Sequence, residues 1–144
     1  MAIKQISVFL ENKPGRLDAM TDVLTEANID IRALSLAETK DFGIVRMIVD
    51  DVYETATILK DNDYIASMTP VVAVRIPDIV GGLNKVLKVF TKAGINIEYM
   101  YAFLGGADAK HAYMVFRPDD TKAAASAAKS AGMRLVDQED ICRL

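Results

Sequence analysis

One pattern runs through this chain twice. Displaced by 66 positions, Val23-Leu24-Thr25-Glu26-Ala27-Asn28-Ile29-Asp30-Ile31 falls on Val89-Phe90-Thr91-Lys92-Ala93-Gly94-Ile95-Asn96-Ile97. The same displacement pairs Val8 with Val74, Gly15 with Gly81 and Leu17 with Leu83. Further on, Asp50-Asp51 matches Asp119-Asp120 at a displacement of 69. The three extra residues fall in the turn-like run Leu104-Gly105-Gly106-Ala107-Asp108-Ala109-Lys110. An insertion confined to a turn leaves packed elements untouched. A duplication on this scale constrains a 144-residue chain to one supersecondary unit built twice, each copy closing its own small core. The copies are expected at residues 1–69 and 70–144.

Each copy reads in the same order. Ile6, Val8 and Leu10 alternate with other residues over a short run, a strand pattern. Asn12-Lys13-Pro14-Gly15-Arg16 breaks it, with Asn12 or Lys13 near a cap position and Pro14 suited to the first helical turn. Leu17, Met20, Val23 and Leu24 then recur at helical spacing, and Asn28 ends that helix. Ile29–Ala37 predicts a second strand, Glu38–Asp41 a turn and Gly43–Val49 a third strand. Asp50 or Asp51 caps a helix through Lys60, and Ile65–Thr69 is a short fourth strand.

The second copy gives strands at Val71–Ile76, Ile95–Phe103, His111–Phe116 and near Arg134–Asp137, with helices from about Gly82 to Ala93 and over Thr121–Ala131. The order β-α-β-β-α-β predicts an α+β chain of two ferredoxin-like units, each an antiparallel sheet with helices on one face. Thr69-Pro70 joins the copies with almost no linker.

Such a sheet should alternate apolar and polar residues along its strands. Strict alternation over Ile29–Ala37 instead puts Ile29, Ile31 and Ala33 on one face and Leu34 and Leu36 on the other. The third strand is likewise apolar on both sides. Leu34, Leu36, Met47 and Val49 would form an exposed patch unless another repeat or a second chain buried it. A homodimer is the expected solution.

Charge and composition exclude several function classes. The net charge is −3, and Lys and Arg form no run, against a nucleic-acid or acidic-membrane partner. The single cysteine, Cys142, excludes an internal disulfide and a cysteine metal motif. No run approaches 18 apolar residues and the start carries no signal-peptide core, which points to a cytoplasmic protein without a membrane span. The single histidine, His111, has no companion at ligand or general-base spacing and reads as a solvated strand-end residue. Glu38, Asp41, Asp50 and Asp51 sit at turns and a cap, where structural roles account for them. No catalytic residue, metal or cofactor is expected. Tyr99, Tyr101 and Phe103 share a strand face and could imitate an RNA-stacking platform, but they have the parity of Ile95 and Ile97 and read as core. A place in the lining of a ligand pocket stays open for them.

The strand-to-helix turns are where binding chemistry is to be sought. A helix N-terminus presents unpaired N–H groups and partial positive charge, and a glycine there lets an anion approach closely. The turns are Asn12-Lys13-Pro14-Gly15-Arg16-Leu17 and Asp78-Ile79-Val80-Gly81-Gly82-Leu83. A glycine at such a turn also serves the backbone alone, and recurrence in a duplicated fold does not separate the two roles.

The run Ile6–Leu17 with its Asn-Lys-Pro-Gly-Arg-Leu turn, followed by Ala27-Asn28-Ile29-Asp30-Ile31, resembles the start of an ACT domain, in both copies and so over nearly the whole chain. That family comprises βαββαβ regulatory modules that bind amino acids, and this chain is similar to tandem proteins made of two such modules. The resemblance implies a free amino acid as ligand, held at an interface between modules by the first turn and the start of the second strand. Carried over, these residues are Asn12, Lys13, Pro14, Gly15, Arg16 and Leu17 with Asn28, Ile29, Asp30 and Ile31. The second set is Asp78, Ile79, Val80, Gly81, Gly82 and Leu83 with Gly94, Ile95, Asn96 and Ile97. Val80 in place of proline and the added Gly82 depart from the pattern. N–H groups near Gly15 and Arg16 would take the ligand carboxylate, and Asn12, Asp78 or second-strand carbonyls its ammonium. The implied role is a non-catalytic sensor or regulator of amino-acid metabolism. The alternative is an interaction module that regulates a separately encoded metabolic enzyme without a ligand of its own.

Overall fold

The alternation of Ile6, Val8 and Leu10 becomes strand β1 (Ile3–Glu11) in the computed structural model, which describes residues 2–105 and 110–144. Residues 106–109 of the expected turn Leu104–Lys110 lie outside the described residues. After β1 come α1 (Arg16–Glu26), β2 (Ile31–Glu38), β3 (Phe42–Val49), α2 (Val52–Asp61) and β4 (Ile65–Pro77). The second copy continues with α3 (Gly82–Lys92), β5 (Ile97–Ala102), β6 (His111–Pro118), α4 (Thr121–Ser130), β7 (Arg134–Val136) and α5 (Gln138–Ile141). The chain divides into a unit of Lys4–Thr69 and a unit of Pro70–Leu144 that also takes the N-terminal residues through Ile3.

The N-terminal unit orders its strands β2-β3-β1-β4, with β3 antiparallel to both β1 and β2. Its core lies between the sheet and its helices: Ile6, Val8, Leu10, Val45, Met47 and Val49 pack with Met20 and Leu24 of α1 and Val52 and Leu59 of α2. The C-terminal unit orders its strands β5-β6-β4-β7, every neighbouring pair antiparallel. There Val72, Val74 and Ile76 meet Val86 and Phe90 of α3 and the small Ala124 and Ala128 of α4. Phe90 and Phe116 pack edge to face at 5.2 Å between ring centroids, a geometry that favours aromatic pairs.

Four expectations change. Thr69-Pro70 lies inside the single strand β4 and is not a joint between two strands. The cap of α1 is Gly15, in left-handed backbone at φ 83 with no side-chain hydrogen bond, so neither Asn12 nor Lys13 caps the helix and Pro14 precedes it. A bulge between Ile31 and Ala33 turns Leu34 onto the core face with Ile31, against the strict alternation. Met47 and Val49 are also core, so of the expected patch only Leu36 is exposed.

The duplicated bulge between Ile97 and Tyr99 sends Met100 to the helix side. Tyr101 and Phe103 are buried outside that core cluster, and the parity with Ile97 fails. A bulge inserts one unpaired residue and reverses the facing of everything beyond it. The helix α5 is an addition: Asp137 and Asp140 form a reciprocal capping box, and Ile141 is fully buried.

Candidate functional site

The turn after β1 is shaped by backbone bonds first. The Asn12 N–H donates to the Asp41 carbonyl at 3.0 Å, and the Lys13 N–H to Glu11 at 2.9 Å. The Arg16 N–H donates to the Lys13 carbonyl at 3.3 Å, closing the turn before Gly15 starts the helix. That N–H is engaged within the turn. No side chain caps α1, and the first N–H groups of a helix have no partner within it, the feature that suits a helix start to anions.

Around the turn lies a cavity of about 260 Å³ lined by Leu10, Glu11, Asn12, Lys13, Leu17, Leu36, Glu38 and Gly43. Three of these, Asn12, Lys13 and Leu17, belong to the expected set. Leu10 and Glu11 end β1 just before the turn, and Gly43, Leu36 and Glu38 arrive through strand pairing, with Leu10 and Glu38 both opposite Gly43. The polar rim is interlocked: Lys13 Nζ lies 3.0 Å and Arg16 Nη2 3.8 Å from Glu11 Oε2, and the Asn12 amide donates to Glu38 Oε2 at 3.4 Å. Lys13, through its hydrogen bond and its charge, and then Arg16 hold the Glu11 carboxyl below its ordinary value. Leu10, Leu17 and Leu36 supply an apolar wall. Glu38, Leu36 and Gly43 were missed because nothing in their spacing marks them and the sheet register brings them to the turn; Glu11 was missed although it directly precedes Asn12.

The second half of the expected set stands elsewhere. Asn28 takes φ 59 after α1, and the Asn28 and Ile29 N–H groups donate to the Thr25 and Leu24 carbonyls, a helix-ending pair of bonds. Ile29 is core, and the exposed Asp30 presents its N–H to Asp50 Oδ1 at 3.1 Å. Ile31 opens β2. These four follow the C-terminal end of the 11-residue α1, roughly 16 Å from its first turn at 1.5 Å per residue. Within one unit the two halves do not converge.

In the second copy the same frame recurs. The Asp78 N–H donates to the Lys110 carbonyl at 2.9 Å and the Gly82 N–H to Ile79 at 3.0 Å. Ile79 and Val80 stand exposed at the tip, Gly81 caps α3 at φ 83, and Leu83 packs against the core. Gly94 and Ile95 repeat the helix-ending bonds, to Thr91 and Phe90. The Asn96 N–H donates to Asp119 Oδ1 at 3.1 Å, and Ile97 opens β5. No His, Cys, Asp and Glu group of metal-binding size occurs among the described residues. None of their helices is long and apolar enough to cross a membrane.

Comparison with known proteins agrees with this frame. A family model described as an ACT domain pair matches residues 1–144. The solved structure of protein BT0572 from Bacteroides thetaiotaomicron is 40% identical, with a TM-score of 0.92, and the match covers 100% of this chain and 98% of that one. The ligand-free regulatory subunit of aspartate kinase from Thermus thermophilus is 18% identical at a TM-score of 0.66, covering 89% and 91% of the two chains. The same subunit from Thermus flavus is 18% identical at 0.61, covering 90% and 92%. No curated protein matches.

Proposed function

The chain belongs to the ACT domain-pair family, and on that premise we propose that it is a non-catalytic, cytoplasmic sensor of a free amino acid that regulates a separately encoded metabolic enzyme. The observation that carries the reading is the cavity at the Asn12–Leu17 turn, where charges of both signs stand beside an apolar wall. An amino acid offers an ammonium, a carboxylate and a side chain. Glu38 and Glu11 accept from the ammonium, and Lys13 with the uncapped first turn of α1 meets the carboxylate. Leu10, Leu17 and Leu36 face the side chain. The segment Asn28–Ile31, remote from this turn in its own unit, joins the site from a second copy of the chain. The turn Asp78–Leu83 with Gly94–Ile97 is the corresponding second site.

The test is thermal unfolding of the full chain with each of the twenty amino acids. Binding to the native state alone adds about 2.7 kcal/mol at a hundredfold excess over Kd. One or a few amino acids should raise the melting temperature, and Glu38→Gln should abolish the rise. A flat response to all twenty at millimolar concentration would favour the ligand-free interaction module instead.

A further inference from the structure

Along β3, Gly43, Val45, Met47 and Val49 alternate on one face, and the last three belong to the core. The first member of this row is buried but has no side chain. Gly43 lies in regular strand without a positive φ, so its backbone does not call for glycine. A glycine inside a strand weakens it, and it marks a place where another group comes close. Displaced by 69, the second copy has Ala112, which stands opposite Ile76 as Gly43 stands opposite Leu10. Displaced by 66, Leu36 answers to Ala102.

Gly43 and Leu36 meet at the cavity beside the Asn12–Leu17 turn, and both line it. A Cβ on Gly43 would lie 3.2 Å from Leu36 Cδ1, tighter than ordinary contact. Leu36 is 54% exposed, whereas Leu10, which also lines the cavity, is 6% exposed. With Glu11, Asn12, Lys13 and Glu38 occupied by the ligand's charged ends, Leu10, Leu17, Leu36 and Gly43 remain for its side chain. None of these four carries a polar side-chain atom. A charged or amide side chain would lose its water there without a partner, whereas an aliphatic one would cover Leu36 and gain by burial. The cavity, about 260 Å³, is small for a ligand pocket and must also hold an ammonium and a carboxylate. That favours a short aliphatic chain over an aromatic ring.

We propose that the ligand is an aliphatic amino acid of the size of valine or leucine, whose side chain lies over Gly43 and against Leu36. This rests on the amino-acid reading above. Gly43 and Leu36 are then specificity-determining residues: the missing side chain makes the room, and the half-exposed leucine is the surface to be covered.

Titration calorimetry of the full chain tests it with valine, leucine, isoleucine, alanine, phenylalanine, glutamine and lysine, weak ligands being read by displacement. The best aliphatic ligand should bind about tenfold or more tighter than alanine, and phenylalanine, glutamine and lysine no better than alanine. Gly43→Ala, which fills the room, should cut the preference for that ligand over alanine by about tenfold. Leu36→Ala, at a half-exposed position that leaves the fold intact, should cut it likewise. A general loss of stability would weaken both ligands alike and leave the preference unchanged. If phenylalanine, glutamine or lysine binds best, the amino-acid reading stands and the proposal is overturned. If no amino acid binds, both fall. The proposal also fails if Leu36→Ala, or a folded Gly43→Ala, keeps the wild-type preference.

Discussion

The neighbouring glycines of the second turn do different things. Gly81 needs its left-handed backbone, at φ 83, yet a methyl group there would meet nothing within 4 Å. Gly82 sits inside the helix, and a Cβ there would lie 2.3 Å from the Pro77 carbonyl oxygen. The sequence pattern shows that a turn is present and that Gly82 is extra; it does not show that Gly82 is there to let β4 and α3 approach. Gly81→Ala should cost about 1–2 kcal/mol through backbone strain. Gly82→Ala should cost more, because two backbone segments must separate, and overpacking adds up to roughly 3 kcal/mol. Urea unfolding of the two variants decides this, and an equal or smaller loss in Gly82→Ala would remove the packing role. Site residues were legible only where they are sequence neighbours. Asn12, Lys13 and Leu17 could be found on the turn, whereas Leu36 and Glu38 reach it through pairing that no local pattern encodes.

Among elements, existence was legible and facing was not. The helices and strands stand within a few residues of where periodicity puts them, apart from α5. Counting by twos fails after Ile31 and after Ile97, because each copy inserts a bulge there. The paired aspartates beside these bulges divide their work. Asp51 and Asp120 cap α2 and α4, accepting from the Glu54 and Ala123 N–H groups. Asp50 instead accepts from the Asp30 and Asp51 N–H groups, and Asp119 from Asn96, tying the start of β2 or β5 to the following helix. Asp51→Ala should therefore cost about 1 kcal/mol as a lost cap. Asp50→Ala, which strands two donors, should cost at least as much. It should also accelerate hydrogen exchange at the Asp30 amide, which Asp51→Ala should leave protected. Unchanged exchange at Asp30 in Asp50→Ala would mean the clip is not formed in solution.

For the whole molecule, duplication was the most legible property, and divergence between the copies the least. A shared pattern can be aligned, but Phe9 and Phe42 become a set only once the strands are paired. Phe9 stands opposite Ile44, and Phe42 stands opposite Glu11, two residues along β1. Phe9, Phe42 and Ile65 are 46%, 54% and 71% exposed. The expected motive for dimerisation, a patch including Met47 and Val49, is gone because both are buried. This exposed set takes its place. Clustered exposed apolar residues mark interaction surfaces, and twofold closure is the commonest outcome for identical chains. The full chain should therefore sediment as a dimer at micromolar concentration. Phe9→Ser with Phe42→Ser should shift it toward the 15.8 kDa monomer while leaving far-ultraviolet circular dichroism intact, since neither side chain is core. If Asn28–Ile31 of a second chain completes the Asn12–Leu17 turn, the same double variant should also weaken the amino-acid response. A wild-type chain that sediments at 15.8 kDa, or a double variant that stays dimeric, would place the association elsewhere or remove it.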